Sequence, residues 1–260
     1  MTRTYDVEQS KFIVDKNRGQ IDKCPNSGYA KLNAYLPAFL PGSLTVVSGL
    51  TSMGKTTLLA NMAANIGYLQ KKKVLFISLE SGHNIAISIS NIESRLSVSS
   101  EDIKNIKLIV PESKYTLEDL RDDLSTKADL CDICFIDHIH YFGTKSGEAQ
   151  SVAIGNLVRD IQLLAKNFNI PIVLVAHVRK LGFGETMPTL NDLKDTSSLS
   201  QDPSTVIFVH RDTMAGSDTL KSGNSYYGNE GYIIVAKNRD FGRTGPLCMT
   251  FNPETLEISI

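Results

Sequence analysis

The sequence predicts an α/β protein in which helices cover both faces of a mostly parallel, twisted sheet that carries an antiparallel extension at its C-terminal end. Short apolar runs alternate with segments of helical spacing from Ser43 to His177. These runs are continuously apolar, which is typical of strands buried on both faces. After Gly182 the pattern changes to short strands separated by turns, which indicates an added antiparallel edge.

The composition supports one large globular domain. The chain has 260 residues with 27 Lys and Arg against 28 Asp and Glu, and 42% of its residues are hydrophobic. This excludes a disordered or fibrous chain and a broadly basic surface, but cations concentrated on loops could still bind nucleic acid. The start lacks the apolar core of a secretory signal, and no run is long enough to span a membrane. We therefore expect a cytoplasmic protein with no membrane partner.

The four cysteines, Cys24, Cys131, Cys134 and Cys248, are too few and too scattered for a disulfide framework. Cys131 and Cys134 form a CxxC inside an apolar run. Because no second CxxC or histidine pair accompanies them, core packing is favoured over a metal or redox role.

The elements follow in a regular order. Residues 1–26 are expected to form a polar arm or linker with a short helix over Val7–Arg18, and residues 27–260 form the domain. The first half of the domain predicts, in order, the strand SLTVVS, a helix over Lys55–Leu69, the strand VLFIS, a helix over Asn84–Leu96, a strand over Lys107–Val110 and a helix from Thr116. The second half predicts the strand ICFID, a helix over Gln150–Phe168, the strand IVLVAH, and the final strands VIFVH, YIIVAKN, PLCMTF and LEISI.

The most specific motif is a phosphate-binding loop. The stretch from Gly49 to Thr56 matches G-x-x-x-x-G-K-[ST] between a predicted strand and a predicted helix. Backbone N–H groups and the helix N-terminus would face one anion, Lys55 would add positive charge, and the Thr56 hydroxyl can ligate Mg²⁺. The expected contacts to the nucleotide come from Gly49, Thr51, Ser52, Met53, Gly54, Lys55, Thr56 and Thr57.

Three further side chains are expected at the same edge of the sheet. Asp137, Glu80 and His177 each end an apolar strand, and ligands collect at the carboxyl ends of parallel strands. Asp137 is the candidate to hold Mg²⁺, Glu80 to activate water, and His177 to bond the γ-phosphate. The alternatives are a turn-capping Asp137, a solvated Glu80 and a structural His177.

The sequence resembles the RecA-like motor domain of hexameric replicative helicases of the DnaB type, and it is similar to the helicase half of phage-type and mitochondrial primase-helicases. The stretches that carry the resemblance are PGSLTVVSGLTSMGKTT, FISLE, FIDHIHYF, LLAKNFNIPIVLVAHVRK, LNDLKDTSSLSQDPSTVIFVHRD and AKNRDFGRTGP. His177 stands where bacterial DnaB has Gln, so the phage-type and mitochondrial branch is the closer match. The implied fold is a RecA-like P-loop NTPase that uses ATP and Mg²⁺.

The resemblance also implies roles for residues. It makes Glu80 the catalytic base, Asp137 the magnesium-side carboxylate and His177 the γ-phosphate sensor. Arg239 aligns with an arginine finger that acts on the neighbouring subunit, with Lys237 beside it, and this arrangement requires a homo-oligomer, expected as a hexameric ring. The alternative is that both are exposed charges on an edge strand.

Two loops are expected to bind DNA in the channel of such a ring, Gly143–Gln150 and Lys180–Lys194. The available cations are Lys145, Arg179, Lys180 and Lys194, and Phe183 could stack on a base. The alternatives are that the cations are solvated loop charges and that Phe183 packs in the core or within its loop.

The expected function is that of an ATP-dependent replicative DNA helicase moving 5′ to 3′ on single-stranded DNA at a replication fork, with a possible primase or loader as partner. The segment before Ser27 is too short for a helical collar or a zinc-binding primase, which weakens the expectation of a stable ring. The rival is a RecA-like ATP-dependent recombination factor, helicase loader or regulator that binds DNA without unwinding it.

Overall fold

The structure is a computed structural model that describes residues 21–80, 82–99, 101–127, 131–143, 149–179, 187–193, 197–213 and 227–260. The predicted helix over Val7–Arg18 lies outside these residues. So do Lys145, Lys180, Phe183 and Lys194.

One sheet organises the described part of the chain. Its strands are β1 (Leu44–Gly49), β2 (Val74–Ser78), β3 (Ile106–Ile109), β4 (Ile133–Asp137), β5 (Ile172–His177), β6 (Thr205–Thr213), β7 (Tyr227–Asn238), β8 (Gly245–Asn252) and β9 (Glu257–Ser259). They lie in the order β3-β2-β4-β5-β1-β6-β7-β8-β9. Pairing is parallel from β3 to β6 and antiparallel from β6 to β9.

The helices connect the parallel strands. They are α1 (Ala30–Asn33), α2 (Lys55–Ala64), α3 (Gly82–Leu96), α4 (Leu117–Lys127), α5 (Gln150–Phe168) and α6 (Ser198–Gln201). Short 3₁₀ turns cover Asp102–Asn105, Ile139–Tyr141 and Leu190–Asp192.

Two apolar cores sandwich the sheet because successive strand residues point to opposite faces. In β4, Ile133 and Phe135 pack into one core while Cys134 and Ile136 pack into the other. Residues of α2 and α3 complete the first core, and those of α4 and α5 complete the second. The predicted α/β class, with helices on both faces and an antiparallel extension, is therefore confirmed.

The assignment of VIFVH to the antiparallel edge was wrong. This run lies in β6, which runs parallel to β1 with Thr45 opposite Thr205 and Ser48 opposite Phe208. Within the described residues, the connection from β5 to β6 contains only the four-residue helix α6 and a 3₁₀ turn. The sequence there lacks the long helical pattern that usually indicates a crossover between parallel strands. The antiparallel part starts one strand later, at β7.

The helix predicted over Lys55–Leu69 changes character before its end. The α-helix stops at Ala64 and continues as a π-helix over Asn65–Leu69. Gly67 lies in this segment against β3, and a Cβ there would meet Ile106 Cγ1 at 2.6 Å. The absence of a side chain at Gly67 thus allows the backbone to approach the edge strand β3.

The last residues of the predicted arm are hydrogen-bonded to the domain. The Phe39 N–H donates to the Pro25 carbonyl at 2.8 Å, and the Asn26 N–H donates to Gln70 Oε1 at 3.0 Å. The boundary at residue 26 stays a prediction.

Cys134 is fully buried in the core, as the sequence predicted for the CxxC. Burial raises the pKa of the Cys134 thiol and raises that of Cys131 to about 11. Across the part of the chain that the structure describes, no helix has the length and apolar character to cross a membrane.

Candidate functional site

The loop between β1 and α2 has the backbone that its glycines allow. Gly54 caps α2 with a φ of 95°, in the left-handed region that side chains disfavour. Gly49 has a φ of 153°, and a Cβ there would lie 2.4 Å from the Val209 carbonyl oxygen of β6. The loop therefore curls tightly at both ends, and the helix N-terminus faces the space above the sheet.

Lys55 is buried at the bottom of this loop. Its Nζ donates to the Leu50 carbonyl at 2.8 Å, so the ammonium lies under the loop. Burial lowers the pKa of Lys55 to about 8, while Asp137 and Glu80 act in the opposite direction. An anion bound in the loop would favour the charged ammonium.

Thr56 and Asp137 offer oxygen atoms suited to a divalent cation. The Thr56 hydroxyl donates to Asp137 Oδ2 at 2.7 Å. Asp137 is 1% exposed, and its Oδ1 has no hydrogen bond among the described residues. Burial raises the pKa of this carboxyl to about 6. A buried, unpaired carboxylate oxygen beside a hydroxyl fits Mg²⁺, which prefers such ligands.

Glu80 follows β2 and stands beside the end of β4. Ser78 pairs with Asp137, and the Leu79 N–H donates to the Asp137 carbonyl at 2.6 Å, which holds the two strand ends together. The Glu80 side chain is 43% exposed, and its Oε2 lies 3.4 Å from His138 Nε2.

His177 ends β5 next to these groups. Its ring centroid lies 4.2 Å from that of His138, in an edge-to-face arrangement. The register of the three parallel strands thus brings the ends of β2, β4 and β5 to one rim.

One cavity of about 500 Å³ unites these groups. Its lining from the phosphate loop comprises Thr51, Ser52, Gly54, Lys55, Thr56 and Thr57, and its lining from the strand ends comprises Glu80, Asp137 and His177. Gly49 and Met53 do not line it. Met53 is buried instead, and its sulfur accepts the Arg211 N–H at 3.1 Å.

Sequence reasoning missed five residues of the cavity wall: Ile87, Ser88, Arg211, Phe251 and Leu256. The Arg211 guanidinium lies 4.4 Å from the centroid of the Phe251 ring. Arg211 belongs to β6, so the strand-end rule that identified Glu80 could have found it. Phe251 and Leu256 come from the antiparallel extension, and no local pattern indicates that it returns to the phosphate loop.

Asn61 fastens that extension to the helix after the phosphate loop. From α2 its Nδ2 donates to the Leu256 carbonyl at 2.9 Å, and its Oδ1 accepts the Ile258 N–H at 3.4 Å. The turn between β8 and β9 is therefore held against α2 by a buried amide.

Lys237 and Arg239 are absent from the cavity lining. Lys237 Nζ donates to the carbonyls of Ser200 and Gln201, each at 2.7 Å, and Arg239 Nη2 donates to the Gln201 carbonyl at 2.7 Å. Both cations thus lie on the C-terminal carbonyls of α6.

Lys237 and Arg239 lie at the end of the sheet where β1 begins, whereas the phosphate loop follows the end of β1. Asn238 pairs with Thr205, which pairs with Thr45 at the amino end of β1. The four residue steps from Thr45 to Gly49 span about 13 Å at the usual rise of a strand. Arg239 therefore lies at least that far along the sheet from its own phosphate loop.

Arg179 is the one predicted DNA contact within the described residues. Its side-chain Nη2 lies 2.5 Å from Asp192 Oδ1, and its backbone N–H donates to the Asp192 backbone carbonyl at 2.8 Å. Asp192 is itself 4% exposed. Arg179 therefore fastens the base of its loop, and its contact with DNA stays a prediction.

Known proteins share this sequence pattern. The family model of the DnaB-like helicase C-terminal domain matches residues 25–108 and 85–259. The "Probable plasmid replicative DNA helicase" of Chlamydia trachomatis is 26% identical over 247 residues, covering 86% of this chain and 55% of that protein. "Replicative DNA helicase DnaB" of Mycoplasma genitalium is 26% identical over 285 residues, covering 97% of this chain and 60% of that protein. The chain thus spans little more than half the length of these relatives.

Solved structures share its fold. The structure of an isolated ATPase domain superposes with a TM-score of 0.76 at 19% identity and covers 99% of both chains. "The Structure Of A DnaB-Like Replicative Helicase And Its Interactions With Primase" gives a TM-score of 0.75 at 19% identity and covers 99% of this chain and 67% of that one. These superpositions confirm the predicted RecA-like fold. The family match spans nearly the whole described chain, and the chain therefore belongs to the DnaB-like helicase C-terminal domain family.

Proposed function

We propose that this chain is the motor domain of an ATP-dependent replicative DNA helicase that hydrolyses ATP with Mg²⁺ and moves along single-stranded DNA. One observation carries the proposal: a single cavity holds an ammonium, a hydroxyl, two carboxylates and an imidazole above a phosphate loop. Each of these groups has a part in transferring the γ-phosphoryl group of ATP to water.

The loop binds the phosphates. Backbone N–H groups and the N-terminus of α2 face the anion, and Lys55 exchanges its bond to the Leu50 carbonyl for the stronger phosphate acceptor. Thr56 and Asp137 would hold Mg²⁺ through the hydroxyl and the unpaired Oδ1. When bound, the cation neutralises charge on the β- and γ-phosphates.

Hydrolysis uses the strand-end side chains. The Glu80 carboxylate takes a proton from water as the water oxygen bonds to the γ-phosphorus and the bond to the ADP oxygen breaks. His177 donates a hydrogen bond to the γ-phosphate. Glu80 reaches solvent while Asp137 is buried, which suits their different roles as base and cation ligand.

Arg211 and Phe251 suit the nucleobase. A guanidinium over a phenyl ring forms a flat surface that is apolar on one side and cationic on the other. We place the adenine against this surface, because both residues line the same cavity as the phosphate loop.

Arg239 acts on the next subunit of a homo-oligomer, most simply a hexameric ring. Arg239 lies at the opposite end of the strands from its own phosphate loop, which supports this proposal. In a head-to-tail ring, the surface that carries Arg239 in one subunit faces the phosphate loop of the next subunit. The cations of the loops after β4 and β5 would bind the phosphates of single-stranded DNA in the central channel. A primase or loader is the expected partner at a replication fork.

The test measures ATP hydrolysis with and without single-stranded DNA, and strand release from a fork with a 5′ tail. We expect DNA-stimulated hydrolysis and strand release by the parental chain, and loss of both in Lys55→Ala and Glu80→Gln. The matched exposed controls Lys107→Ala and Glu118→Gln should retain both. Hydrolysis at the parental rate by either site variant would contradict the proposed chemistry. DNA-stimulated hydrolysis without strand release would identify a RecA-like ATPase that does not unwind.

A further inference from the structure

His138 is a buried side chain in contact with the proposed base. It follows β4 directly, its side chain is 3% exposed, and its Nε2 lies 3.4 Å from Glu80 Oε2. The register between β2 and β4 produces this contact, because Ser78 pairs with Asp137 and each chain then continues toward the rim. His138 is not among the residues that line the cavity, so we expect it to act through a neighbouring side chain and not by touching ATP.

The hydrogen bond at the other nitrogen fixes the tautomer of this imidazole. The His140 backbone N–H donates to His138 Nδ1 at 3.2 Å, so Nδ1 presents a lone pair. A neutral imidazole carries its single proton on the remaining nitrogen. The proton therefore sits on Nε2, which lies 3.4 Å from Glu80 Oε2 without the alignment of a hydrogen bond.

The buried His138 side chain is packed among three other rings. The His138 ring centroid lies 4.2 Å from that of His177, 4.6 Å from that of Tyr141 and 5.4 Å from that of His140. The Glu80 side chain, in contrast, is 43% exposed and has room for several rotamers. A fixed N–H group beside such a carboxylate offers a hydrogen bond to only some of those rotamers.

We propose that His138 is a positioning residue for ATP hydrolysis, whose imidazole donates from Nε2 to the Glu80 rotamer that points toward the γ-phosphate and so favours that rotamer. The inference rests on the proposed role of Glu80 as the base. The same ring packs against His177, so one buried side chain sets the base and the γ-phosphate sensor relative to each other. Positioning of this kind affects the rate of the bound complex rather than the affinity for nucleotide.

The test separates kcat from nucleotide affinity in the full-length chain. His138→Phe keeps a ring but removes the donor, and we expect kcat to fall about 10- to 100-fold while the Kd for ADP stays within about twofold. His138→Gln keeps an N–H donor and should recover most of the parental kcat. Tyr141→Leu is the control, because Tyr141 is exposed and its loss leaves the Nε2 donor and the ring contacts of His138 to His140 and His177 in place; its kcat should stay within about threefold of the parental value.

A double variant distinguishes failure of this inference from failure of the proposed function. If Glu80 is the base and His138 acts through it, Glu80→Gln combined with His138→Phe should be no slower than Glu80→Gln alone. Parental turnover in Glu80→Gln would overturn the proposed function. Parental turnover in His138→Phe, beside an inactive Glu80→Gln, would overturn only the positioning role. A fall in the kcat of Tyr141→Leu as large as that of His138→Phe would also overturn the positioning role, because lost packing would then explain both results.

The parental protein gives an independent readout if His138→Phe does not fold. Nitrogen-15 NMR of its imidazoles should show His138 protonated at Nε2 and unprotonated at Nδ1. The opposite tautomer would overturn the proposal.

Discussion

Mixing two inactive variants tests whether each nucleotide site is built from two subunits. Lys55→Ala removes the ammonium of the phosphate loop but leaves Arg239 intact, and Arg239→Ala does the reverse. We expect each pure variant to lose nearly all turnover, since a finger that acts across an interface contributes about 10³-fold or more. The mixture contains sites that neither pure protein can form.

The size of the recovery follows from the position of Arg239. Arg239 lies at the end of the sheet where β1 begins, four residue steps of β1 away from its own phosphate loop, so in the proposed ring it would serve only the next subunit. In a randomly mixed head-to-tail ring, a site is complete when an Arg239→Ala subunit supplies the phosphate loop with its intact Lys55 and a Lys55→Ala subunit supplies the intact Arg239. Each condition has a chance of one half, so turnover per site should recover to about a quarter of the parental value.

The assay measures phosphate release from equal mixtures, assembled after exchange of subunits and then supplied with ATP and single-stranded DNA. Arg243→Ala is the matched control, because Arg243 lies at the other end of the short turn that begins at Arg239. Its guanidinium lies 4.1 Å from the centroid of the Tyr35 ring and outside the cavity. It should retain parental turnover. If mass measurement shows mixed oligomers and no turnover returns, or if Arg239→Ala alone turns over normally, the shared site does not exist.

Three other variants test the architecture of the cavity. Asn61→Ala leaves the Leu256 carbonyl and the Ile258 N–H without their partner, so the free energy of unfolding should fall by about 2 kcal/mol in a urea titration, and parental stability would contradict the contact. Arg211→Ala removes the stacked guanidinium and should raise the Kd for ATP about tenfold by fluorescence titration, with kcat at saturating ATP unchanged. Burial raises the pKa of Asp137 from 3.8 to about 6, so between these pH values the native state holds a proton that the unfolded chain has released. The free energy of unfolding should therefore fall as the pH rises from about 4 to about 6. Relative to Asp137→Asn, which cannot titrate there, the fall should be about 3 kcal/mol. Urea titrations in EDTA at four pH values would show a constant difference if the shift were absent.

The sequence was informative wherever local pattern and topology agree. Gly49, Gly54 and Lys55 carry a motif whose backbone requirements are strict, and the structure supplies the positive φ angles and the close approach that explain the glycines. Glu80 and His177 were identified because parallel strands end at one edge, so a side chain at a strand end must lie near the loop.

The remaining site residues depend on contacts that no local pattern encodes. Phe251 enters the cavity because β8 and β9 fold back beside α2, and Asn61 holds them there across 195 residues of sequence. His138 acquires its partner from the register of two strands and its tautomer from one backbone N–H. β6 was misassigned because its connection from β5 lacks a long helix.

The proposed DNA loops follow directly after the strand ends that carry the proposed catalytic residues. Gly143 follows Asp137 by six residues, and Lys180 follows His177 by three. The His138 ring packs against His177, so the bases of the two loops are in contact inside the protein. Because packed groups of this kind have few alternative arrangements, a change at the γ-phosphate that moves His177 must also displace the start of a loop. Binding linkage then requires that single-stranded DNA change the affinity for ATP by the same factor by which ATP changes the affinity for DNA.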